Sequence, residues 1–281
     1  MPGARRFDRG IEYQNDSNCM RFTVAQTGII RLQYVRGHQF SADGFYAAVQ
    51  VARPAAPFQF TSQGATDSLS TSELKVEIER SPLRVSFLDG QGQVFKRDAD
   101  ALRMETDPDG RVRVWKDPPP DAHFFGFGEK SGFLDKRGVR SDGSSLAMWN
   151  SGKPGYDNTM DPLYDTIPFF LTLRNGNAHG TFLDSTWRSS FDIGRMNAKQ
   201  MSFGVEGGEM NYYALAGPSP ADVLRRYSGL TAPMPLPPLW SLGYNQCRWS
   251  YSPDTRVLEA ARWFREKGTF PRTSSGSIST T

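Results

Sequence analysis

The amino-acid sequence predicts a mainly β fold, an antiparallel β-sandwich followed by the start of an alternating strand–helix domain. Up to about residue 215, short segments alternate apolar and polar residues with a period of two, which is typical of strands. Turns rich in glycine separate these segments, and few windows have a helical period, which favours a sandwich. After Pro218 the pattern changes to helix, proline-rich linker, strand and helix.

The predicted strands of the sandwich have one buried face each. Residues 30–34 and 74–79 alternate apolar with polar side chains, and residues 83–87 continue this pattern up to an Asp-Gly turn. A second Asp-Gly pair precedes the predicted strand at residues 112–115. The polar stretch 59–71 is expected to be a loop.

A β-hairpin is predicted between residues 167 and 183. An apolar run at 167–173 ends at Asn175-Gly176, and a second run begins at residue 180. Asn-Gly is the pair that two-residue hairpin turns prefer, because both central residues need a positive φ.

A helix is predicted after the sandwich, with Ser219 as its N-cap, Pro220 in its first turn and Gly229 just past its end. The next segment, residues 233–238, holds four prolines and indicates a stiff linker and a domain boundary.

Beyond the linker, residues 239–247 are short and apolar, which suits a buried strand. A second helix is expected with Ser252 as N-cap, Pro253 at its first position and Gly268 at its end. This order begins either a βα barrel or a doubly wound domain.

Composition excludes several classes of function. The net charge of +3 comes without a basic run, which argues against nucleic-acid binding, and no apolar stretch is long enough to span a membrane. The N-terminus lacks the apolar core of a signal peptide, so a cytoplasmic location is expected. The three histidines are scattered, the glycine-rich residues 126–132 depart from phosphate-loop spacing, and no metal or other cofactor is expected.

Several long motifs then occur in a recognisable order. They are Phe-Phe-Gly-Phe-Gly-Glu-Lys at 124–130, Met-Trp-Asn at 148–150, and the segments 162–169, 180–184, 212–220 and 237–251. Together they resemble the N-terminal portion of glycoside hydrolase family 31, the α-glucosidase and α-xylosidase type. The resemblance implies a galactose-mutarotase-like sandwich in residues 1–232. It implies a linker and the first strand–helix unit of a (β/α)8 TIM barrel in residues 233–270, whereas residues 271–281 depart from the family as a polar tail.

The resemblance also implies a retaining α-glycosidase. Its substrate in the full-length parent would be an α-linked oligosaccharide or an α-glucoside. Such enzymes use two carboxylates about 5–5.5 Å apart. The family places both aspartates on later barrel strands, and too few residues follow Pro238 for the roughly 250 of a barrel. No catalytic residue is therefore assigned, and this chain alone is expected to be inactive. The alternative is a non-catalytic carbohydrate-binding sandwich, which the strand–helix segment at 236–270 argues against.

Four residues are carried over as substrate contacts. Trp249 matches an aromatic residue at the mouth of the first barrel strand, with ordinary barrel packing as the alternative, and Arg248 precedes it. Asn150 lies in the substrate-facing loop of the sandwich, and Gly152 stands where relatives often have an aspartate. The glycine removes one expected polar contact and leaves the preferred sugar open.

The polar tail suggests a frameshift at or just before Arg272. Family members continue with a strand similar to Ala-Asp-Val-Ile-Trp-Leu-Asp-Ile-Asp-Tyr. Because the genetic code is degenerate, one choice of codons encodes the residues from Arg272 to Thr281 and, in the neighbouring frame, that strand. A natural polar tail is the alternative. Either way, the tail is expected not to form a buried barrel strand, which would leave the first strand without neighbours and Leu239, Trp240 and Leu242 exposed.

Overall fold

The computed structural model describes residues 3–37, 39–40, 47–48, 55–138, 146–152, 154–157, 159–248, 250–268 and 276–280. The chain divides into two compact units, Met1–Ala232 and Pro233–Thr281. In chain order, the strands of the first unit are β1 (Arg5–Phe7), β2 (Gly10–Gln14), β3 (Asn18–Gln26), β4 (Ile29–Arg36), β5 (Gln59–Gln63), β6 (Thr66–Ser70), β7 (Leu74–Arg80), β8 (Leu83–Asp89), β9 (Val94–Arg97), β10 (Met104–Thr106), β11 (Val112–Lys116), β12 (His123–Gly128), β13 (Leu146–Met148), β14 (Thr166–Arg174), β15 (Asn177–Leu183), β16 (Ser189–Ile193), β17 (Met201–Val205) and β18 (Met210–Leu215).

These strands form three antiparallel sheets. The largest has the order β1-β2-β3-β4-β18-β15-β14-β12, and the two smaller ones have the orders β5-β6-β7-β8-β9 and β10-β11-β17-β16-β13. One cluster of buried apolar side chains draws on all three sheets, with Phe22, Phe87 and Phe203 among its fully buried members. The antiparallel sandwich predicted from the sequence is confirmed.

Helix α1 (Pro220–Thr231) covers the outer face of the eight-stranded sheet. Its Val223 and Leu230 join a second buried cluster, and Tyr227 stacks on Phe169 with ring centroids 4.1 Å apart. Gly180 permits this approach, because a Cβ there would lie 2.6 Å from the Val223 Cγ1 atom. The predicted N-cap is confirmed, since Ser219 and Asp222 form a capping box. Gly229 lies inside the helix, so the predicted end was too early.

The Asn-Gly hairpin is confirmed. Strands β14 and β15 pair antiparallel up to Arg174 and Asn177, and Asn175 and Gly176 between them have φ values of 49° and 79°. The period-2 prediction for residues 74–79 also holds, since β7 alternates buried and half-buried residues.

Two strand predictions were wrong. Residues 59–71 are not a loop, because β5 and β6 form a hairpin there that is fixed by backbone pairing. Strand β4 is buried on both faces, because it lies inside the sheet with apolar clusters on either side. Its polar residues have partners: the Arg31 Nε donates to Asn211 Oδ1 at 2.8 Å, and the Gln33 Nε2 donates to Glu209 Oε1 at 3.2 Å.

The second unit contains a short 3-10 helix (Leu239–Leu242), β19 (Tyr244–Arg248), α2 (Asp254–Glu266) and β20 (Gly276–Thr280). The prediction of one buried strand over residues 239–247 was wrong, since the first part is helical and β19 is largely exposed. Leu239 and Leu242 are exposed, as expected, and the side chain of Trp240 lies outside the described residues.

Helix α2 begins one residue later than predicted. Pro253, not Ser252, is its N-cap, and it makes no side-chain capping hydrogen bond. The helix ends near Gly268 as predicted, where φ is +65°.

The expectation that the first barrel strand has no neighbour was also wrong. Strand β20 lies in the polar tail and pairs parallel with β19, from Tyr244 opposite Gly276 to Arg248 opposite Thr280. Backbone pairing requires only an extended segment, and the helical connection through α2 returns the chain in the parallel direction. The polarity of the tail therefore did not prevent a strand.

No helix in the described part of the chain combines the length and apolar character that crossing a membrane requires. The cytoplasmic location stays a prediction.

Candidate functional site

A bulge in β12 starts the segment that carries the candidate site. Gly126, Phe127 and Gly128 all have positive φ, at 118°, 73° and 77°, and the pairing with β14 shifts register between the two glycines. A Cβ on Gly126 would lie 2.7 Å from the Phe169 carbonyl oxygen, and one on Gly128 would lie 2.5 Å from the Ile167 nitrogen. Close approach to β14 therefore requires glycine at both positions.

Core packing holds Phe127 in its unfavourable backbone conformation. Its side chain is fully buried, with its ring centroid 5.0 Å from that of Phe170 and 5.2 Å from that of Phe191. A left-handed conformation in a bulky residue costs about 1–3 kcal/mol and persists only where the surroundings fix it. The bulge is thus a rigid point from which Glu129 and Lys130 leave the sheet.

Glu129 fixes the far end of the segment. Its Oε2 atom accepts hydrogen bonds from the backbone nitrogens of Tyr164 and Asp165, at 3.0 and 3.2 Å, and its own nitrogen donates to the Asp165 oxygen. The carboxylate is engaged by backbone donors, so its role here is structural.

Lys130 and Asp161 form a buried ion pair. The Lys130 Nζ lies 2.7 Å from Asp161 Oδ1, and both side chains are 1% exposed. Lys130 also donates to the Ala147 oxygen at 2.6 Å, while the Ala147 nitrogen donates to Asp161 Oδ2 at 2.7 Å. The pair therefore joins three parts of the chain in one network: the end of the β12 motif, strand β13, and Asp161 in the connection that leads to β14.

The anchored segment, residues 146–167, presents aromatic rings to solvent. Trp149 is 49% exposed and Tyr156 is 51% exposed, and Tyr156 meets Tyr164 edge to face at 5.6 Å. At the base of the segment the Ser151 nitrogen donates to the Leu163 oxygen at 2.8 Å, and Leu163 is buried. Exposed aromatic rings on a fixed base suit a ligand with an apolar C–H face, such as a sugar ring.

The residues predicted as substrate contacts lie in both units. Asn150 and Gly152 are exposed neighbours in the 146–167 segment, and a Cβ on Gly152 would meet open space. Arg248 is exposed at the end of β19 in the second unit, and Trp249 lies outside the described residues. Asn150 and Gly152 thus lie together on the surface of the first unit. The role of all four residues as substrate contacts stays a prediction.

Sequence reasoning missed the residues that hold this segment. Lys130 and Asp161 are 31 positions apart, and nothing in their spacing marks them as a pair. The aromatic residues at 149, 156 and 164 were visible in the sequence, and three large rings in a stretch rich in glycine and proline were the available signal.

A separate buried histidine lies near the start of β15. His179 stacks on Phe95 at 3.9 Å, and its Nε2 atom is 3.8 Å from Asp89 Oδ2. Burial lowers the pKa of His179 to about 4, which the Asp89 charge opposes and Lys96 reinforces. It borders a cavity of about 240 Å³, below the usual size of a ligand site. Within the described ranges, no three His, Cys, Asp or Glu side chains are grouped to hold a metal ion.

Two family models match the chain in order. The model described as the "Glycosyl hydrolase 31 N-terminal galactose mutarotase-like domain" matches residues 19–192, and that of the "Glycosyl hydrolases family 31 TIM-barrel domain" matches residues 234–272.

Curated relatives and solved structures carry related names. The chain is 41% identical over 201 residues to Alpha-glucosidase 2 of Bacillus thermoamyloliquefaciens, covering 71% of this chain and 25% of the relative. It is 32% identical over 190 residues to Alpha-xylosidase XylQ of Lactiplantibacillus pentosus, covering 63% and 22%. A Flavobacterium johnsoniae GH31 dextranase complexed with isomaltotriose superimposes with a TM-score of 0.84 and 25% identity, covering 94% of this chain and 32% of that one. The chain thus spans about a quarter of the length of these curated relatives.

Proposed function

The chain belongs to glycoside hydrolase family 31, and on that premise we propose that it is the N-terminal portion of a retaining α-glucosidase-type enzyme. The whole protein would hydrolyse O-glycosyl bonds of α-linked oligosaccharides or α-glucosides. One observation carries the proposal: the sandwich and barrel models of the family match in order, at residues 19–192 and 234–272. The 41% identity to an α-glucosidase supports the substrate class.

The catalytic chemistry would belong to barrel strands other than β19. Retaining glycosidases need a nucleophilic carboxylate and an acid/base carboxylate about 5–5.5 Å apart. No residue of this chain is assigned to either role. The barrel-model match ends at residue 272, which supports the proposed change of reading frame near Arg272.

The sandwich would contribute one wall of the sugar-binding site through the 146–167 segment. Trp149 offers an exposed ring for the apolar face of a pyranose, and the Asn150 amide offers a donor and an acceptor for hydroxyl groups. The Lys130–Asp161 pair would keep this wall in place without touching the ligand. Gly152 supplies no carboxylate, so fewer polar contacts would fix the sugar on this side. Arg248 and Trp249 are further proposed contacts, and only the family resemblance supports them.

Hydrolysis of aryl glycosides by the complete gene product tests this proposal. We expect turnover of an aryl α-glucoside, with the aryl α-xyloside as the comparison that the XylQ relative motivates. Trp149→Ala should lower kcat/KM by about 2–13-fold, which corresponds to the loss of one aromatic contact of about 0.5–1.5 kcal/mol. Trp187→Ala, which removes an equally exposed ring outside the segment, is the matched control. Equal activity of the two variants would contradict the assigned wall.

A hydrolysis assay of the purified 281-residue chain tests whether it is inactive alone, and the order of its elements bears on the alternative, a non-catalytic carbohydrate-binding sandwich. Because neither catalytic carboxylate is assigned within these residues, we expect no hydrolysis of an aryl α-glucoside. Turnover in a preparation free of longer translation products would overturn this expectation. The strand–helix–strand order of β19, α2 and β20 favours the enzyme fragment, since a sandwich module has no use for it.

A further inference from the structure

A second cavity lies on the outer face of the sheet β10-β11-β17-β16-β13. Its volume of about 480 Å³ falls within the range of small-molecule sites. The lining is mostly polar with one large aromatic ring, and its central residues are Glu105, Arg113, Trp115, Ser190 and Gly204.

Strand register places the central lining residues in one row. Arg113 lies opposite Glu105 on one side and Gly204 on the other, and Gly204 in turn lies opposite Ser190. Residues directly opposite one another in antiparallel strands point to the same face. Glu105, Arg113 and Ser190 therefore share a surface, with a glycine in its middle.

Gly204 shapes the floor of the cavity. A Cβ there would lie 2.8 Å from the Val112 oxygen and 3.2 Å from the Arg113 Cβ. Because this space stays open, the Arg113 side chain crosses β17 and its Nη2 atom donates to Ser190 Oγ on the next strand at 2.5 Å. Its Nη1 atom donates to Ser202 Oγ at 3.0 Å.

The Arg113 guanidinium is held by hydroxyl groups rather than by a carboxylate. Burial lowers the pKa of Arg113, and the charge of Asp192 opposes that effect. Among the described residues, no carboxylate oxygen lies within 4.0 Å of the guanidinium. A fixed, partly buried cation with neutral partners keeps donor capacity for a ligand oxygen.

The aromatic side chain of Trp115 and a mixture of acidic and basic side chains complete the lining of the cavity. Trp115 follows in the next row, opposite Ser202, and is partly exposed. The lining carboxylates of Glu105, Asp107 and Glu206 outnumber its two guanidinium groups, and Asp107 pairs with Arg111 at 3.7 Å. A lining without excess positive charge disfavours phosphate, whereas interleaved donors and acceptors beside a flat ring suit a neutral polyhydroxylated ligand.

We propose that this cavity binds one neutral pyranose unit of an oligosaccharide, at a site separate from the 146–167 segment. The sugar ring packs on Trp115, Arg113 donates to its hydroxyl oxygens, and Glu105 accepts from its hydroxyl groups. The choice of a sugar rests on the proposed function, while the size, the polarity and the aromatic wall come from the cavity itself. The site would hold a glucan chain on the sandwich while the barrel acts on another part of it.

Calorimetric titration of the 281-residue chain with maltotriose and with isomaltotriose tests the proposal. We expect saturable binding of at least one of them, weakened at least tenfold by Arg113→Gln and by Trp115→Phe. Glu105→Gln is a third variant on an exposed side chain, and it decides the outcome if either of the others fails to fold by circular dichroism. Trp263→Ala, which removes an exposed ring of α2 outside both the cavity lining and the 146–167 segment, is the matched control and should keep the affinity of this site.

Three results would overturn the proposal. They are the absence of saturable binding, binding that all three cavity variants retain, and tighter binding of inorganic phosphate than of either trisaccharide. Failure of the proposed function would be seen differently, as absence of hydrolysis by the complete gene product. Titration of the isolated chain involves no turnover, so the two failures are distinguishable.

Discussion

Removing the positive charge at Lys130 should destabilise the sandwich strongly. Lys130→Met keeps the aliphatic length of the side chain but leaves the Asp161 carboxylate, 1% exposed, without its counter-charge. The Ala147 nitrogen still donates to that carboxylate, yet a neutral backbone donor does not replace the positive charge of Lys130. Breaking one partner of a buried pair costs about 3–5 kcal/mol.

Thermal unfolding followed by circular dichroism measures this loss. For a unit of this size, each kcal/mol corresponds to about 2–4 °C, so Lys130→Met should lower the melting temperature of the sandwich by about 6–20 °C. The double variant with Asp161→Asn removes the negative charge as well and keeps an acceptor for the Ala147 nitrogen. It should recover most of the loss, and the double-mutant cycle isolates the coupling of the pair.

Arg174→Met is the matched control, because the Arg174–Asp121 pair has the same 2.7 Å separation but is exposed. Its melting temperature should stay close to that of the unchanged chain, since exposed ion pairs contribute little. The reasoning fails if Lys130→Met and Arg174→Met lower the melting temperature equally, or if Asp161→Asn makes Lys130→Met still less stable.

Two further predictions concern other parts of the sandwich. As pH falls from about 6.5 to about 4, the unfolded chain binds a proton at His179 before the folded chain does, so this group should lower the free energy of unfolding by up to about 3 kcal/mol. The difference in free energy of unfolding between the unchanged chain and His179→Gln, measured in urea, should follow that slope and become independent of pH well above 6.5, and identical pH profiles would contradict it. Gly126→Ala should destabilise the fold more than Gly110→Ala: both glycines have positive φ, but only at Gly126 would the Cβ meet backbone, 2.7 Å away. Equal urea midpoints for these two variants would contradict the close approach of β12 to β14.

Local sequence patterns were sufficient where neighbours along the chain decide the structure. The β14–β15 hairpin followed from two apolar runs and Asn175-Gly176, since a tight turn depends on which residues tolerate positive φ. The start of α1 followed from Ser219 for the same reason, because a cap bonds to backbone only three residues away.

The motifs of residues 124–130 and 148–150 identified the family, but the sequence did not show which contacts these residues make. Their physical roles became clear only in three dimensions, where Gly126 and Gly128 meet β14 and Lys130 meets Asp161. The candidate site is similar in this respect: the exposed rings could be read from the sequence, and the network that holds them could not.

The sequence by itself determined the sandwich fold, the β14–β15 hairpin, the N-cap of α1 and the family. Tertiary structure decided that polar residues 59–71 pair as a hairpin, that Arg31 and Gln33 of β4 are buried, and that the polar tail pairs with β19. It also decided that Arg113 reaches Ser190 across Gly204. The physical reason is range: backbone preference and turn chemistry act between neighbouring residues. Strand pairing and the burial of a second face depend on segments far away in the chain, whose position no local pattern encodes.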